Sequence, residues 1–242
     1  MCTVSWIHEE DGYQLLCNRD EKRIRAQAFG PEILTREGVR FVAPTDRTAG
    51  GTWIGANEHG ITACLLNGPL KSRDSVGRTY KSRGLLLPEL LSAPSMAEAR
   101  ERVWNFDLSP IAPFSLAILE PDQHTTVIEW DGLDKVILPY GEPYMPLVSS
   151  SFEPEIVESR RREEFLRRRD AAGRLDATVL YTFHASHGKS PNAYSPCMHR
   201  SDAETVSFSW VKVTEAEIEF FYSPGAPCQW CPGETQKLAR LQ

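Results

Sequence analysis

The first residues of the chain alternate between apolar and polar side chains, which is the pattern of a half-buried β-strand. Cys2, Val4 and Trp6 fall on one face of this stretch, because successive residues of a strand point to opposite sides. Residues 11–12 are Asp-Gly, a strong hairpin signal, and a second apolar stretch covers residues 13–18. We therefore predict that the chain opens with a β-hairpin.

Short apolar runs bounded by turn residues predict further strands. These runs cover residues 39–43, 52–56, 61–67, 114–119, 125–129, 135–138, 205–213 and 218–222. Stretches rich in Leu, Ala, Glu and Arg predict helices. The helical stretches cover residues 82–106, 153–170 and 175–184. The first of them is interrupted near residues 92–95. The order of sheet, helix, sheet, helix and sheet, with no long linker, predicts one α+β domain over residues 1–242 whose helices cover sheet faces.

Composition limits the classes of partner. The 242 residues carry a net charge of -6, so there is no broad basic surface for a phosphate backbone, and we expect no nucleic acid partner. No apolar run approaches the ~20 residues of a membrane span, and the first residues lack the basic and then apolar order of a secretory signal. The six cysteines are sparse for this length. We expect a cytoplasmic protein with mostly reduced thiols.

Cys2 directly follows the initiator methionine. Methionine aminopeptidases act when the second residue is small, so we expect the mature chain to begin at Cys2. That residue then carries both a thiol and a free α-amine, whose pKa of about 7.7 to 8.0 allows it to accept the thiol proton near pH 7. The alternative is that Cys2 is simply a small apolar residue at the start of a strand.

A two-residue loop at residues 11–12 would set the register of the hairpin. Cys2 would then lie opposite Glu21, with Arg19 diagonal to it on the same face. Asp20 would point to the other face unless a bulge or a slip brings it round. The carboxylate could hold the α-ammonium and the guanidinium could stabilise a thiolate or a substrate carboxylate. The alternative is a surface ion pair at a strand end.

Three stretches carry a resemblance to a known family. They read N-R-D-E at 18–21, D-R-T-A-G-G-T-W-I-G at 46–55 and G-I-T-A-C-L-L-N at 60–67, behind an N-terminal Met-Cys. In these the chain resembles the NRDE family, also called the transport and Golgi organisation 2 family. Its opening is also similar to choloylglycine hydrolases and penicillin V acylases, which are N-terminal nucleophile hydrolases. The resemblance implies a four-layer αββα sandwich and a hydrolase of carbon–nitrogen bonds other than peptide bonds, acting on linear amides or related acyl compounds.

The resemblance also implies roles for individual residues. Cys2 matches the nucleophile, and Asn67 matches the amide that forms the oxyanion hole with a backbone N–H. The hydrolases take an arginine and a carboxylate from the second strand. Arg19 matches the arginine, whereas either Asp20, which the motif favours, or Glu21, which the register favours, could be the carboxylate.

Two residues are candidates for substrate binding. Trp53 follows a Gly-Gly pair and offers an apolar wall. Arg200 lies in a segment that resembles the family's Thr-Arg segment and could bind a substrate carboxylate; an exposed loop arginine is the alternative. The family's mid-chain Ser-Asn pair has its nearest match in L-V-S-S-S-F-E-P, where Ser150 or Ser151 replaces the asparagine.

A second function follows from the same resemblance. Members of the NRDE family are associated with haem movement and secretory organisation, which implies a non-catalytic haem or lipid carrier in which Cys2 or His8 contacts the ligand. The replaced asparagine is compatible with this alternative. We expect a small-molecule substrate and no cofactor for the hydrolase, and haem for the carrier.

A group of cysteines near the C-terminus has the residue types of a zinc site. Cys228 and Cys231 form a C-x-x-C motif, with Cys197 and His199 upstream. A single C-x-x-C in a Pro/Gly-rich tail is a weak signal, however, so we expect no bound metal.

Overall fold

The computed structural model describes residues 2–68, 80–121, 125–187, 192–229 and 232–241, which form two antiparallel sheets. The strands of the first sheet are, in spatial order, β10 (Leu147–Ser149), β1 (Cys2–Glu9), β2 (Gly12–Lys22), β11 (Ala203–Val213), β12 (Glu217–Ser223) and β13 (Glu234–Ala239). The strands of the second sheet are, in the same sense, β3 (Phe29–Arg36), β4 (Val39–Thr45), β5 (Ile54–Asn57), β6 (Thr62–Asn67), β7 (Phe114–Leu119), β8 (Thr125–Trp130) and β9 (Lys135–Leu138).

Two pairs of helices cover the outer faces of the sheets. Helices α1 (Leu86–Leu91) and α2 (Met96–Asn105) are on the second sheet, and α3 (Pro154–Ala172) and α4 (Ala177–His184) are on the first. The predicted four-layer αββα sandwich is confirmed. None of the helices in the described part of the chain is long and apolar enough to cross a membrane.

Apolar side chains fill the spaces between the layers. Val4 and Leu15 of the first sheet meet Ile54 and Leu66 of the second in a core where each is at most 1% exposed. A second core lies between the outer face of the second sheet and the leucines of α1. Full burial of one such side chain contributes about 1.5–3 kcal/mol, so these interfaces hold the layers together.

The helix ends follow signals in the sequence. Ser95 caps α2 by accepting a hydrogen bond from the Glu98 amide, and Asp176 caps α4 by accepting one from the Val179 amide. The break between α1 and α2 falls within the predicted interruption at 92–95. The helical predictions are therefore confirmed, apart from shifts of a few residues at the ends.

Three strands were not predicted, and all three lie at sheet edges. Strand β10 has three residues, and β3 is exposed along most of its length. Strand β13 reads E-T-Q-K-L-A, with one buried position. Strands β3 and β13 bury little surface and β10 is too short, so none of the three leaves an apolar periodicity in the sequence.

The predicted register of the β1–β2 hairpin is wrong by two residues. Gly12 pairs with Glu9, and Cys2 pairs with Arg19 rather than Glu21. Gly12 belongs to the strand because β11 runs against it: a β carbon at this position would lie 1.9 Å from the carbonyl oxygen of Val213. The glycine serves a close approach of two backbones rather than a turn.

A buried tyrosine links the two sheets. Tyr13 of β2 donates its hydroxyl hydrogen towards the Gly60 carbonyl and Thr62 Oγ1 at the start of β6, each 2.7 Å away. Its side chain is fully buried. Removing the hydroxyl would leave these two buried acceptors without the hydrogen-bond donor that Tyr13 supplies.

We expect Tyr13→Phe to lower the free energy of unfolding by about 1–3 kcal/mol, the usual cost of a buried polar group that loses its partner. Urea unfolding followed by circular dichroism measures this loss. Tyr144→Phe, at a residue that is 43% exposed, is the matched control and should change stability by less than about 0.5 kcal/mol. Equal effects of the two substitutions would contradict the inter-sheet role of Tyr13.

Candidate active site

A cavity of about 530 Å³ contains most of the residues predicted for the site. Cys2 at the start of β1 and Arg19 near the end of β2 line it from the first sheet. Asn67 at the end of β6 and Trp53 just before β5 line it from the side of the second sheet. Residues far apart in sequence therefore meet because strand ends of both sheets lie at this edge of the sandwich.

Cys2 is almost fully buried at the cavity wall. Its main-chain nitrogen donates a hydrogen bond to Ser149 Oγ over 2.9 Å, because β10 pairs with β1 and places Ser149 directly opposite Cys2. A hydrogen bond with the Cys17 thiol and burial raise the pKa of the Cys2 thiol well above its ordinary value. The thiol is therefore uncharged near pH 7 and needs a base to accept its proton.

Arg19 lies opposite Cys2 and is held on three sides. One of its Nη atoms lies 2.7 Å from Asp46 Oδ2 and 3.6 Å from Glu21 Oε2. The guanidinium also lies over the ring of Trp53, 4.5 Å from the ring centroid, in a cation–π contact. These contacts fix the position of the cation at the cavity that Cys2 also lines.

Asp46 is the carboxylate that holds Arg19, and sequence reasoning did not select it. Its carboxylate also accepts hydrogen bonds from the amides of Thr48 and Ala49 and from Arg25. Burial favours a raised pKa, but the Ala49 amide and the charges of Arg25 and Arg19 outweigh it and lower the pKa of Asp46. The signal was present, because Asp46 opens the D-R-T-A-G-G-T-W-I-G stretch.

The two candidate carboxylates of β2 have different surroundings. Glu21 is on the same strand face as Arg19 and lines the cavity. The prediction that Glu21 lies opposite Cys2 is wrong, because Arg19 occupies that position. Asp20 borders the cavity too, but its carboxylate pairs with Arg161 of α3 over 3.0 Å and accepts a hydrogen bond from Thr205 Oγ1 over 2.7 Å. The prediction that Asp20 points to the other face is confirmed.

Further contacts hold the strand that carries Arg19. The Asn18 side chain donates hydrogen bonds to the carbonyls of His184 and Pro196, each over 2.9 Å. His184 Nε2 lies 2.9 Å from Ser5 Oγ of β1. Burial and the nearby charge of Arg161 lower the pKa of His184 to about 3, so its ring is neutral at pH 7. The helix layer is thus attached to β1 and β2 by polar contacts as well as by packing.

Two predictions about the cavity have different outcomes. Asn67 and Trp53 line it together with Cys2, as expected. Arg200 does not line it: the guanidinium pairs with Asp202 over 2.9 Å and lies over the ring of Phe152. Basic side chains that were not predicted lie along the cavity instead, among them Lys81 and Arg83.

The three consecutive serines at 149–151 have different surroundings. Ser149 is the residue that contacts the main-chain nitrogen of Cys2. Ser150 Oγ instead bonds to the backbone of Phe152, 2.6 Å from its carbonyl oxygen, and Ser151 is exposed. The assignment of Ser150 or Ser151 as the replacement for the family's asparagine stays a prediction. Only the pairing of β10 with β1 distinguishes the three serines.

A family profile described as Transport and Golgi organisation 2 matches residues 1–153, more than half of the 242 residues. The chain belongs to this family. The matched range includes every cavity residue described above as well as Ser149. No curated protein matches the sequence.

Solved structures similar to this member of the Transport and Golgi organisation 2 family share its fold at low sequence identity. Penicillin V acylase from Agrobacterium tumefaciens has a TM-score of 0.59 and 12% identity, with coverage of 98% of this chain and 86% of the acylase. The C2A mutant of conjugated bile acid hydrolase from Clostridium perfringens has a TM-score of 0.60 and 12% identity, with coverage of 99% and 92%. A Caenorhabditis elegans ortholog of N-acylethanolamine-hydrolyzing acid amidase has a TM-score of 0.60 and 11% identity, with coverage of 87% and 92%.

These neighbours show that the chain has the fold of the N-terminal nucleophile hydrolases. At 11–12% identity they carry no information about its substrate.

We expect Arg161→Met to lower the free energy of unfolding by about 3–5 kcal/mol, because it leaves the Asp20 carboxylate buried without its cation. Both side chains of the pair are 0% exposed. Urea unfolding provides the measurement. Arg160→Met is the matched control one residue earlier on α3, where the side chain is 64% exposed, and we expect a change below about 0.5 kcal/mol.

A second variant tests whether the loss comes from the unpaired charge. Asp20→Asn combined with Arg161→Met removes both charges and should recover part of the stability lost by Arg161→Met alone. If Arg161→Met were no more destabilising than Arg160→Met, the buried pair would not be a main constraint of the fold.

Proposed function

We propose that the protein is an N-terminal-cysteine hydrolase that cleaves a linear amide of a small molecule. One observation carries the proposal: the Cys2 thiol and main-chain nitrogen lie at one cavity with the Arg19 cation and the Asn67 amide. The mechanism requires removal of Met1, which lies outside the described residues. The names of the three similar structures, an acylase, a hydrolase and an amidase, are compatible with amide cleavage.

The raised pKa of the Cys2 thiol determines how the nucleophile would be activated. As the sulfur attacks the amide carbonyl, the thiol proton passes to the α-amine of the same residue, directly or through a water molecule. Ser149 Oγ accepts a hydrogen bond from this nitrogen, which directs the nitrogen lone pair during the transfer. The resulting α-ammonium then protonates the leaving amine, and the carbon–nitrogen bond breaks to give a thioester.

Two residues would stabilise charge during the reaction. The Asn67 side-chain amide donates to the oxyanion of the tetrahedral intermediate, a contribution worth roughly 100- to 1000-fold in rate at comparable sites. Arg19, fixed by Asp46 and Trp53, stabilises negative charge that develops at the sulfur. Water, deprotonated by the α-amine, then hydrolyses the thioester, releases the acid and restores the Cys2 thiol.

The charges along the cavity favour an anionic substrate. The carboxylates of Asp20, Asp46 and Glu21 are already paired with arginines, whereas Lys81 and Arg83 add positive charge to the lining. A carboxylate or other anionic group on the amide would be attracted to these cations. We therefore expect neutral analogues of a given amide to be poorer substrates.

The test measures turnover of a library of anionic and neutral acyl-amides. We expect Cys2→Ala to lower kcat/KM by at least about 1000-fold and Asn67→Ala by roughly 100- to 1000-fold. Cys64→Ala, at a buried thiol that does not line the cavity, keeps the nucleophile, its Cys17 partner and the α-amine; it is the matched control and should retain activity. Intact-mass spectrometry should show a chain that begins at Cys2. Equal turnover by wild type and Cys2→Ala, or retention of Met1 in active protein, would contradict the mechanism.

A haem carrier is the second candidate function, and one observation favours it. A separate cavity of about 550 Å³ lies between β1 and α3, with a mainly apolar lining that includes Trp6, Met145 and Phe165. His8 also lines it, with Nε2 2.9 Å from Thr125 Oγ1 and 3.6 Å from Glu142 Oε1. Imidazole is a common axial ligand of haem iron.

Absorbance titration with haemin tests the carrier. Saturation near one equivalent, with affinity lowered at least about tenfold by His8→Ala, is the result expected of a carrier that uses this histidine. His59→Ala, at a histidine outside this cavity, is the matched control. Absorbance that rises without saturation, or that is unchanged by His8→Ala, would argue against haem binding in this cavity.

A further inference from the structure

A cluster of metal-ligand side chains lies outside both cavities. Cys197, His199 and Cys228 place their ligand atoms within 4.8 Å of one another. His199 Nε2 lies 3.5 Å from Cys197 Sγ and 3.2 Å from Cys228 Sγ. Two of these residues precede β11 and the third follows β12, so the tertiary fold assembles the group.

We propose that Cys197, His199 and Cys228 bind one zinc ion. In a tetrahedral site, Zn–S bonds of about 2.3 Å and Zn–N bonds of about 2.0–2.1 Å place sulfur and nitrogen about 3.5 Å apart. The two observed sulfur–nitrogen distances are within about 0.3 Å of that value. The imidazole nitrogen is therefore already at a suitable distance from both sulfur atoms to share one ion with them.

The chemistry of the three donors selects the metal. Two thiolates and an imidazole suit Zn²⁺, whereas the oxygen ligands that Mg²⁺ and Ca²⁺ prefer are not part of this group. Three protein ligands leave one tetrahedral position for water or a further donor. His187 is close to this group: its ring centroid lies 5.9 Å from that of His199, and its Nδ1 is buried with no hydrogen-bond partner among the described residues. Cys231 lies outside the described residues and is not part of the proposed site.

The surrounding backbone holds two of the ligands in place. The Cys197 amide donates to the Ser186 carbonyl over 2.9 Å, just after α4. Met198, between the two upstream ligands, donates its amide to Thr205 Oγ1 over 2.8 Å. The upstream half of the site is therefore attached to rigid elements, as a metal site requires.

The same contacts link the proposed ion to the strand that carries Arg19. Thr205 also donates to Asp20, and the Asn18 side chain donates to the Pro196 carbonyl. The ion would join this loop to the loop after β12 through Cys228. We infer a structural role, in which zinc braces the region of the first sheet that bears N-R-D-E; this inference does not depend on the proposed hydrolase activity.

The test uses the full chain purified under reducing conditions. Zinc titration in competition with a chromophoric chelator should give one tight site per chain. Cobalt substitution should give tetrahedral d–d absorption in the visible range and a thiolate-to-cobalt charge-transfer band in the near ultraviolet. This spectrum identifies the thiolate ligands on the wild-type protein, even where a variant fails to fold.

The variants assign the ligands. We expect Cys228→Ser, Cys197→Ser and His199→Gln each to lower zinc affinity by at least about 100-fold, beyond the roughly 10- to 100-fold typical of outer-shell partners. Cys2→Ser is the matched control, because it removes a thiol elsewhere, and it should bind zinc as wild type does. The proposal is overturned by cobalt spectra without a thiolate band, by unchanged affinity in Cys228→Ser, or by a Cys197–Cys228 disulfide in the reduced preparation.

Discussion

The buried ion pair between Asp20 and Arg161 is the constraint on which the rest of the structure depends. Each ion would cost several kcal/mol to bury without a partner, and both side chains are fully shielded from water. Thr3 of β1 and Thr205 of β11 bond to the same pair. One polar cluster therefore connects three strands and helix α3, and a shift of β2 by two residues would separate Asp20 from Arg161.

The geometry of the cavity follows from this pair because strand side chains alternate between faces. With Asp20 directed at Arg161, its neighbours Arg19 and Glu21 lie on the side of the cavity, and Arg19 is opposite Cys2. The second sheet supplies the other wall through Asn67 and Trp53. The candidate active site is thus a consequence of how charges are buried beneath it.

The candidate active site and the proposed zinc site share this support. The loop that carries Cys197 and His199 is hydrogen-bonded to Asn18 and, through Thr205, to Asp20. Family membership and the fold of the N-terminal nucleophile hydrolases fix the framework, whereas the chemistry depends on the side chains placed on it. In this chain, the proposed amide cleavage depends on the buried Cys2 thiol and the fixed Arg19 cation at one cavity.

The sequence by itself determined the elements with strong periodicity and the residues that belong to distinctive motifs. Cys2, Arg19, Trp53 and Asn67 could be selected because each lies in such a motif, and the helices because their composition and caps are local signals. The tertiary structure alone decided the register of the hairpin, where the Val213 carbonyl requires Gly12 inside the strand. It also decided that Asp46 and Ser149 are the partners of Arg19 and Cys2, and that Arg200 lies elsewhere. The physical reason is that the periodicity of a helix or strand is encoded within one segment of the chain. The register of the hairpin and the partners of Cys2 and Arg19 depend instead on other segments, which are distant in sequence and meet only in the folded protein.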